Sequence, residues 1–297
     1  MKLPRYQPES TQATRYLFFT GKGGLGNTSL SCATALKLAE AGRRVWLVST
    51  DLASNLDEVL ETRITNAPTP IPGVPRLLAL NINPVAAAAY RERVIGPMRG
   101  LLPETALHSI EEQLSGSYTM EISAFDEFSG LMGDVESTRE YDHIVFDTAP
   151  TGHTLLLLDA SAAYNRELQR QTGSAQPEAV RHLLEHLRDP TLTPILLVTL
   201  PEATPFHEAA ALPEDLRRAH LEPFAWVINQ SLLHSGSIDP LLRRREEPER
   251  RYLREVVKRY STRTAWLPWQ TEEPTGPEAL VILATTPWPS TASAVIR

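Results

Sequence analysis

The sequence predicts an α/β fold, a doubly wound and mainly parallel sheet flanked by helices, with an inserted helical subdomain. Three observations predict it. Short apolar runs rich in β-branched and aromatic residues recur at lengths suited to buried strands. Helix-length segments separate several of these runs, so strand and helix alternate. One interval is too long for a simple crossover and spaces its apolar residues helically.

Taken in order, the strand runs are residues 16–20, 45–50, 77–82, 143–149, 194–200 and 224–229. Between the first two, residues 28–41 align Leu30, Ala33, Leu36, Leu38 and Ala39 on one helical face, and Gly42 closes the helix. The long interval, about residues 84–141, is the expected helical insertion, with Val94, Ile95, Met98 and Leu101 among its apolar positions. Residues 179–187 read as a further helix and 247–260 as a charged surface helix. The end of the chain, 285–297, mixes Thr, Pro, Ser and Ala and is expected to be a flexible tail, leaving 1–284 as one domain.

The chain of 297 residues is 42% hydrophobic and 22% charged, enough to bury a large core. Its net charge of -7 argues against broad attraction to nucleic acid or anionic lipid. Cys32 is the one cysteine, which excludes an intrachain disulfide and a zinc site of several thiolates. No apolar run approaches the ~20 residues that cross a bilayer, and residues 1–15 lack a secretory core. A cytoplasmic location is expected.

The run Phe18-Phe19-Thr20-Gly21-Lys22-Gly23-Gly24-Leu25-Gly26-Asn27-Thr28 puts a strand, a glycine-rich turn and a helix in succession. This order builds a phosphate loop (P-loop): glycines let successive N–H groups surround an anion, and the helix N-terminus adds partial positive charge. Lys22 offers a charge to phosphates and Thr28 a hydroxyl to Mg²⁺. An ordinary glycine-rich turn is the alternative. The usual loop ends Gly-Lys-Thr, whereas this one reads Gly26-Asn27-Thr28. Asparagine donates hydrogen bonds but brings no charge, a loss of roughly 1.5–3 kcal/mol in binding, with a further loss in turnover where phosphoryl charge redistributes.

The loop from Gly21 to Thr28 resembles the deviant Walker A loop, with its early signature lysine, of ArsA, the tail-anchored-protein targeting ATPases and MinD-like proteins. Ser49-Thr50-Asp51-Leu52-Ala53-Ser54-Asn55 resembles the family's switch I run, with leucine for proline. Asp147-Thr148-Ala149-Pro150-Thr151-Gly152-His153-Thr154 matches the ArsA signature without a substitution. On these runs the chain is identified as a member of the arsenite-pump ATPase (ArsA) family, with the similarity extending from about residue 16 to about 284.

The resemblance implies ATP and Mg²⁺ as cofactors, the phosphates being bound by Gly21, Lys22, Gly23, Gly24, Gly26, Asn27 and Thr28. Lys22 then reaches the partner subunit's nucleotide. Asp51 orients or deprotonates the attacking water, and a helix N-cap is its plainer alternative. Asp147 holds Mg²⁺ through water together with Thr28, or else only forms a strand-end turn. Thr148, Gly152 and His153 belong to the switch, Asn229 reads adenine, and the loop at 268–276 covers the base.

The function so implied is ATP hydrolysis coupled to arsenite or antimonite export through a membrane pump. The alternative is a hydrolysis-deficient, nucleotide-gated binding module, motivated by Asn27. A chaperone for tail-anchored proteins ranks last. The expected partners are a second copy or another ArsA half and a membrane arsenite exporter subunit, not nucleic acid, which places the chain peripherally at the inner face of the membrane. Two departures bear on this: ArsA pumps carry two homologous halves in one polypeptide whereas this chain has room for one, and a metalloid ligand is missing. Tyr118 stands where the family carries a metalloid-binding thiol, and Cys32 reads as a core residue. His182 and His186 share a helical face without a third ligand, and Arg243-Arg244-Arg245 with Glu246, Glu247 and Glu249 reads as a salt-bridged surface.

Overall fold

The structure, a computed structural model, describes residues 5–8, 14–51, 54–82, 96, 138–148, 189, 192–218, 220–233, 237–261 and 263–285. The expected helical insertion, the helix at 179–187, the switch residues Gly152 and His153, Tyr118, the pair His182 and His186, and the tail beyond 285 lie outside these residues.

Strand β1 (Tyr16–Thr20) is buried at all five positions, as a strand covered on both faces must be. Helix α1 (Asn27–Glu40) follows, then β2 (Val45–Ser49), the short α2 (Leu56–Val59), β3 (Thr69–Ile71), β4 (Val74–Asn81) and β5 (His143–Asp147). Beyond them come β6 (Ile195–Thr199), α3 (Ala203–Arg218), β7 (Pro223–Ser231), α4 (Pro240–Glu255), a π-helical turn at Val256–Tyr260, β8 (Thr264–Pro268) and α5 (Gly276–Thr285). The eight strands form one sheet in the order β3-β4-β2-β5-β1-β6-β7-β8. Every neighbouring pair is parallel except β3 and β4.

Alternation along each strand sends side chains to two separate cores. Tyr16 and Phe18 join Trp46, Phe146, Phe206, Trp226 and Leu253 on the face covered by α3 and α4. Leu17 and Phe19 join Leu47, Val145 and the α1 residues Leu30, Ala33 and Leu36 on the other face, where α5 adds Leu280 and Leu283. The ring stack of Phe18 on Phe146, 4.3 Å between centroids, locks β1 beside β5.

The expected strands are present, with β4 and β7 longer than their apolar runs. Two more appear. β3 holds three residues including Pro70 and pairs antiparallel at the sheet edge, where proline is tolerated and apolar signal is weak. β8 is short and carried no expectation, only its last residue, Pro268, falling within the expected loop. Helices α3 and α5 carried no expectation, and the charged helix begins at Pro240 rather than 247. Pro213 and Pro248 sit inside α3 and α4 and break their sequence signal, while packing on the sheet holds both helices together. No helix among the described residues is long and apolar enough to cross a membrane.

Candidate functional site

The order of the sheet turns about β1: strands β2 to β5 lie on one side and β6 to β8 on the other. Open α/β sheets receive ligands in the crevice beyond the strand carboxyl ends at such a point. A cleft of about 640 Å³ is lined there by Gly23, Gly24, Gly26, Asn27 and Thr28 together with Asp51 and Asn229. Residues 269–274, at the end of β8, complete it, so the segment expected over a base stands beside the phosphate loop.

The loop leaves β1 and enters α1 through Gly26, whose φ of 86° is the left-handed region that glycine tolerates. A β-carbon on Gly26 would collide with the Asn229 amide, and one on Gly21 with the Val198 carbonyl oxygen. No side chain caps α1 and no acid occupies its first turn, so its N–H groups and dipole stay available to an anion.

Asp147 ends β5 with 1% of its surface exposed. Thr28 donates its hydroxyl to Asp147 Oδ2 at 3.0 Å, and Ser49 donates its own at 3.2 Å. Burial pushes this carboxyl up to about 7, the negative charge of Asp51 adds to the rise, and the two hydroxyl hydrogen bonds oppose it. A buried, hard oxygen donor set built from a carboxylate and a threonine hydroxyl suits Mg²⁺. Asp51 is half-buried on the cleft, and its backbone N–H donates to Ser49 Oγ at 3.3 Å. It does not cap α2, which begins after Asn55. Thr148 turns its hydroxyl to the Phe19 carbonyl at 2.9 Å, tying the start of the switch run to β1.

The remaining site residues are less simply placed. Asn27 is 8% exposed, and its Oδ1 is buried without a hydrogen bond. Lys22 lies outside the cleft lining and pairs with Glu208 of α3. Among the described lining residues the charged ones are Asp51, Glu272 and Glu273, all acidic. Asn229 donates Nδ2 to the Leu25 carbonyl at 2.9 Å and accepts the Gln230 N–H at 2.9 Å, so its amide is engaged within the protein.

Sequence reasoning passed over Ser49 and Glu249. Ser49 stands in register with Asp147 across the β2–β5 pair, a neighbour that no local pattern announces. Glu249, grouped above with a salt-bridged surface, is instead 5% exposed and accepts from Ser231 Oγ at 2.8 Å and Leu232 N at 3.0 Å. Other charges of that helix pair as Arg245 with Glu202 and Arg250 with Glu246, while Arg243 donates to the Ser237 carbonyl. Cys32 is fully buried, and burial above all raises its thiol well beyond the usual range.

A family model described as "Anion-transporting ATPase" matches residues 14–177 and 171–286. The chain is 46% identical over 226 residues to the "Arsenical pump-driving ATPase" of Acidiphilium multivorum, covering 72% of this chain and 39% of that protein. It is 31% identical to "ATPase ARSA2" of Chlamydomonas reinhardtii, with 91% of this chain and 83% of that one covered. To "ATPase GET3A" of Arabidopsis thaliana it is 28% identical, over 91% and 82% of the two chains. The chain thus spans about two fifths of the length of the bacterial pump-driving relative it matches.

Proposed function

Because the chain belongs to the anion-transporting ATPase (ArsA) family, we propose that it binds Mg·ATP in the β1–α1 cleft and couples its hydrolysis to arsenite or antimonite export through a membrane partner. The observation that carries the proposal is the 3.0 Å hydrogen bond from Thr28 to Asp147, which joins the phosphate loop to the acid ending β5.

In this reading the amides of Gly21, Gly23, Gly24, Gly26 and Asn27 cradle the phosphates, and Thr28 with Asp147 holds Mg²⁺. The cation, when bound, neutralises phosphoryl charge. Asp51 orients the attacking water from the opposite lining. Thr148, with Gly152 and His153 further along, reports the γ-phosphate to the rest of the chain. Among the described lining residues none is a cation. Lys22 of a second copy, or of another ArsA half, supplies one once the ion pair with Glu208 is released.

A second reading is favoured by one observation, the neutral, partly unsatisfied Asn27 in the loop. There the chain is a nucleotide-gated binding module that recruits its partner without turnover. Steady-state ATP hydrolysis by the purified chain and by Asn27→Lys separates the two. Wild-type turnover that rises with arsenite supports the pump ATPase. ATP binding without turnover, and at least about tenfold more turnover in Asn27→Lys, supports the gated module. A chain that binds no Mg·ATP overturns both.

A further inference from the structure

Helix α4 and the π-helical turn that continues it carry eight arginines and lysines against four glutamates, in a chain whose net charge is -7. Burial takes Glu249 off the surface, and Glu246, Glu247 and Glu255 pair with Arg250 and Arg259. Arg244, Arg251 and Lys258 are exposed and make no ion pair among the described residues. They recur at every seventh residue, a spacing that returns to one helix face about 10 Å further along. Glu249, Leu253 and Val256 are buried on the opposite face, so the row of cations points away from the sheet.

Each end of the row adds a feature. At its start Ile238 and Leu241 are 84% and 75% exposed, and Leu241 lies one helical turn before Arg244. At its end a hollow of about 370 Å³ opens beside the amino ends of β7 and β8, with Lys258, Arg259 and Arg263 in its lining. The Arg263 guanidinium lies 4.4 Å over the Phe224 ring, which holds it in place. The nucleotide cleft belongs to the carboxyl ends of the strands, so this hollow sits at the other end of the sheet. Exposed aliphatic side chains beside free cations on a convex helix face suit the boundary of a bilayer, where the cations meet phosphate headgroups. A soluble acidic segment would use the cations but leave Ile238 and Leu241 in water.

We propose that the outer face of α4, with Ile238 at one end and Arg263 at the other, is a docking surface for a membrane rich in anionic phospholipid. The hollow receives a headgroup phosphate, Arg244, Arg251 and Lys258 lie along the charged surface, and Ile238 and Leu241 insert. The acidic balance of the whole chain does not prevent this, because salt screens charges more than about 8–10 Å from the contact. The surface is separate from the nucleotide cleft and goes beyond the function proposed above.

Cosedimentation of the full chain with vesicles tests it, using phosphatidylcholine alone or mixed with phosphatidylglycerol, with thermal unfolding measured beside it. The wild type should bind the anionic vesicles at least about tenfold more tightly than the neutral ones and be released by about 0.5 M salt. Arg244→Gln, Arg251→Gln and Lys258→Gln should each weaken that binding about fivefold. Ile238→Ser combined with Leu241→Ser should weaken it about tenfold. Lys37→Gln removes the same charge from α1, on the other face of the sheet, and should stay within about twofold of wild type. Equal binding to both vesicle types overturns the inference, as does anionic binding that survives the three charge substitutions together in a folded protein. Binding to polyglutamate but not to anionic vesicles gives the surface to an acidic protein segment and overturns it. Release from vesicles by millimolar inorganic phosphate at fixed ionic strength makes the hollow a free-phosphate site and overturns it too. Each of these outcomes leaves ATP binding as it was, so failure here is distinct from failure of the nucleotide reading.

Discussion

At the scale of single residues, Asp147 is a group whose titration the fold moves into the neutral range. Its carboxyl rises from 3.8 to about 7 because it is buried, so the metal-free folded chain holds a proton that the unfolded chain releases across that window. The folded chain binds more protons there, and stability falls as pH rises. The contribution is present in full below the unfolded-state value and lost as pH rises through about 7, amounting to roughly 4 kcal/mol. Denaturant unfolding of the metal-free chain should show this decline, and Asp147→Asn should flatten it. Equal pH slopes in the two proteins would contradict the assignment. Burial acts on Cys32 in the same direction. Its raised thiol stays protonated inside the core, which removes it as a soft ligand for metalloid. Asn27 is the residue on which the choice between turnover and gating depends, because a neutral amide binds phosphate oxygens without offsetting their charge.

At the scale of elements, α4 and α1 show how local signals and packing divide the labour. α4 is highly charged, and Asp239 caps it by accepting Leu241 N–H at 2.7 Å and Leu242 N–H at 3.2 Å. Removing that cap with Asp239→Ala should cost about 1 kcal/mol in thermal unfolding and leave ATP affinity unchanged, since the residue lies outside the cleft lining. A large loss of affinity instead would mean that the start of α4 moves with the site. α1 answers to its core contacts. Leu36 is fully buried between the helix and the sheet, and Leu36→Ala should destabilise by about 2–5 kcal/mol in chemical unfolding. Its cleft end has no side-chain cap, a role that an anion bound there would fill.

At the scale of the whole molecule, the sheet joins its ligand-facing parts through strand ends that are far apart in sequence. β1 supplies the loop, β2 brings Ser49 and Asp51, β5 brings Asp147, and β7 and β8 supply the opposite wall. A ligand that bridges those ends stabilises all of them at once. Mg·ATP at a hundredfold excess over its dissociation constant should therefore raise unfolding stability by about 2.7 kcal/mol, seen as a rise in Tm of several degrees. Magnesium alone or ATP with chelator should give less. No shift with Mg·ATP would mean that the folded chain does not bind it.

The strand runs, the glycine loop and the two other motif segments were legible in the sequence because each is local. Buried parallel strands are continuous apolar runs, and a phosphate loop needs its glycines and helix start in one short stretch. The short edge strand β3, helix α3, the start of α4 before residue 247, and strand β8 were not, since neighbours rather than propensity hold them. The same division runs through the site. Gly26, Thr28 and Asp147 announced themselves by position in a motif. That Ser49 would reach Asp147, that Lys22 would pair with Glu208, and that Glu249 would leave a charged surface to accept from Ser231 were decided only by the tertiary structure. The physical reason is that a hydrogen bond between elements depends on register and on which face each helix turns to the sheet, and these are set by the packing of the whole core.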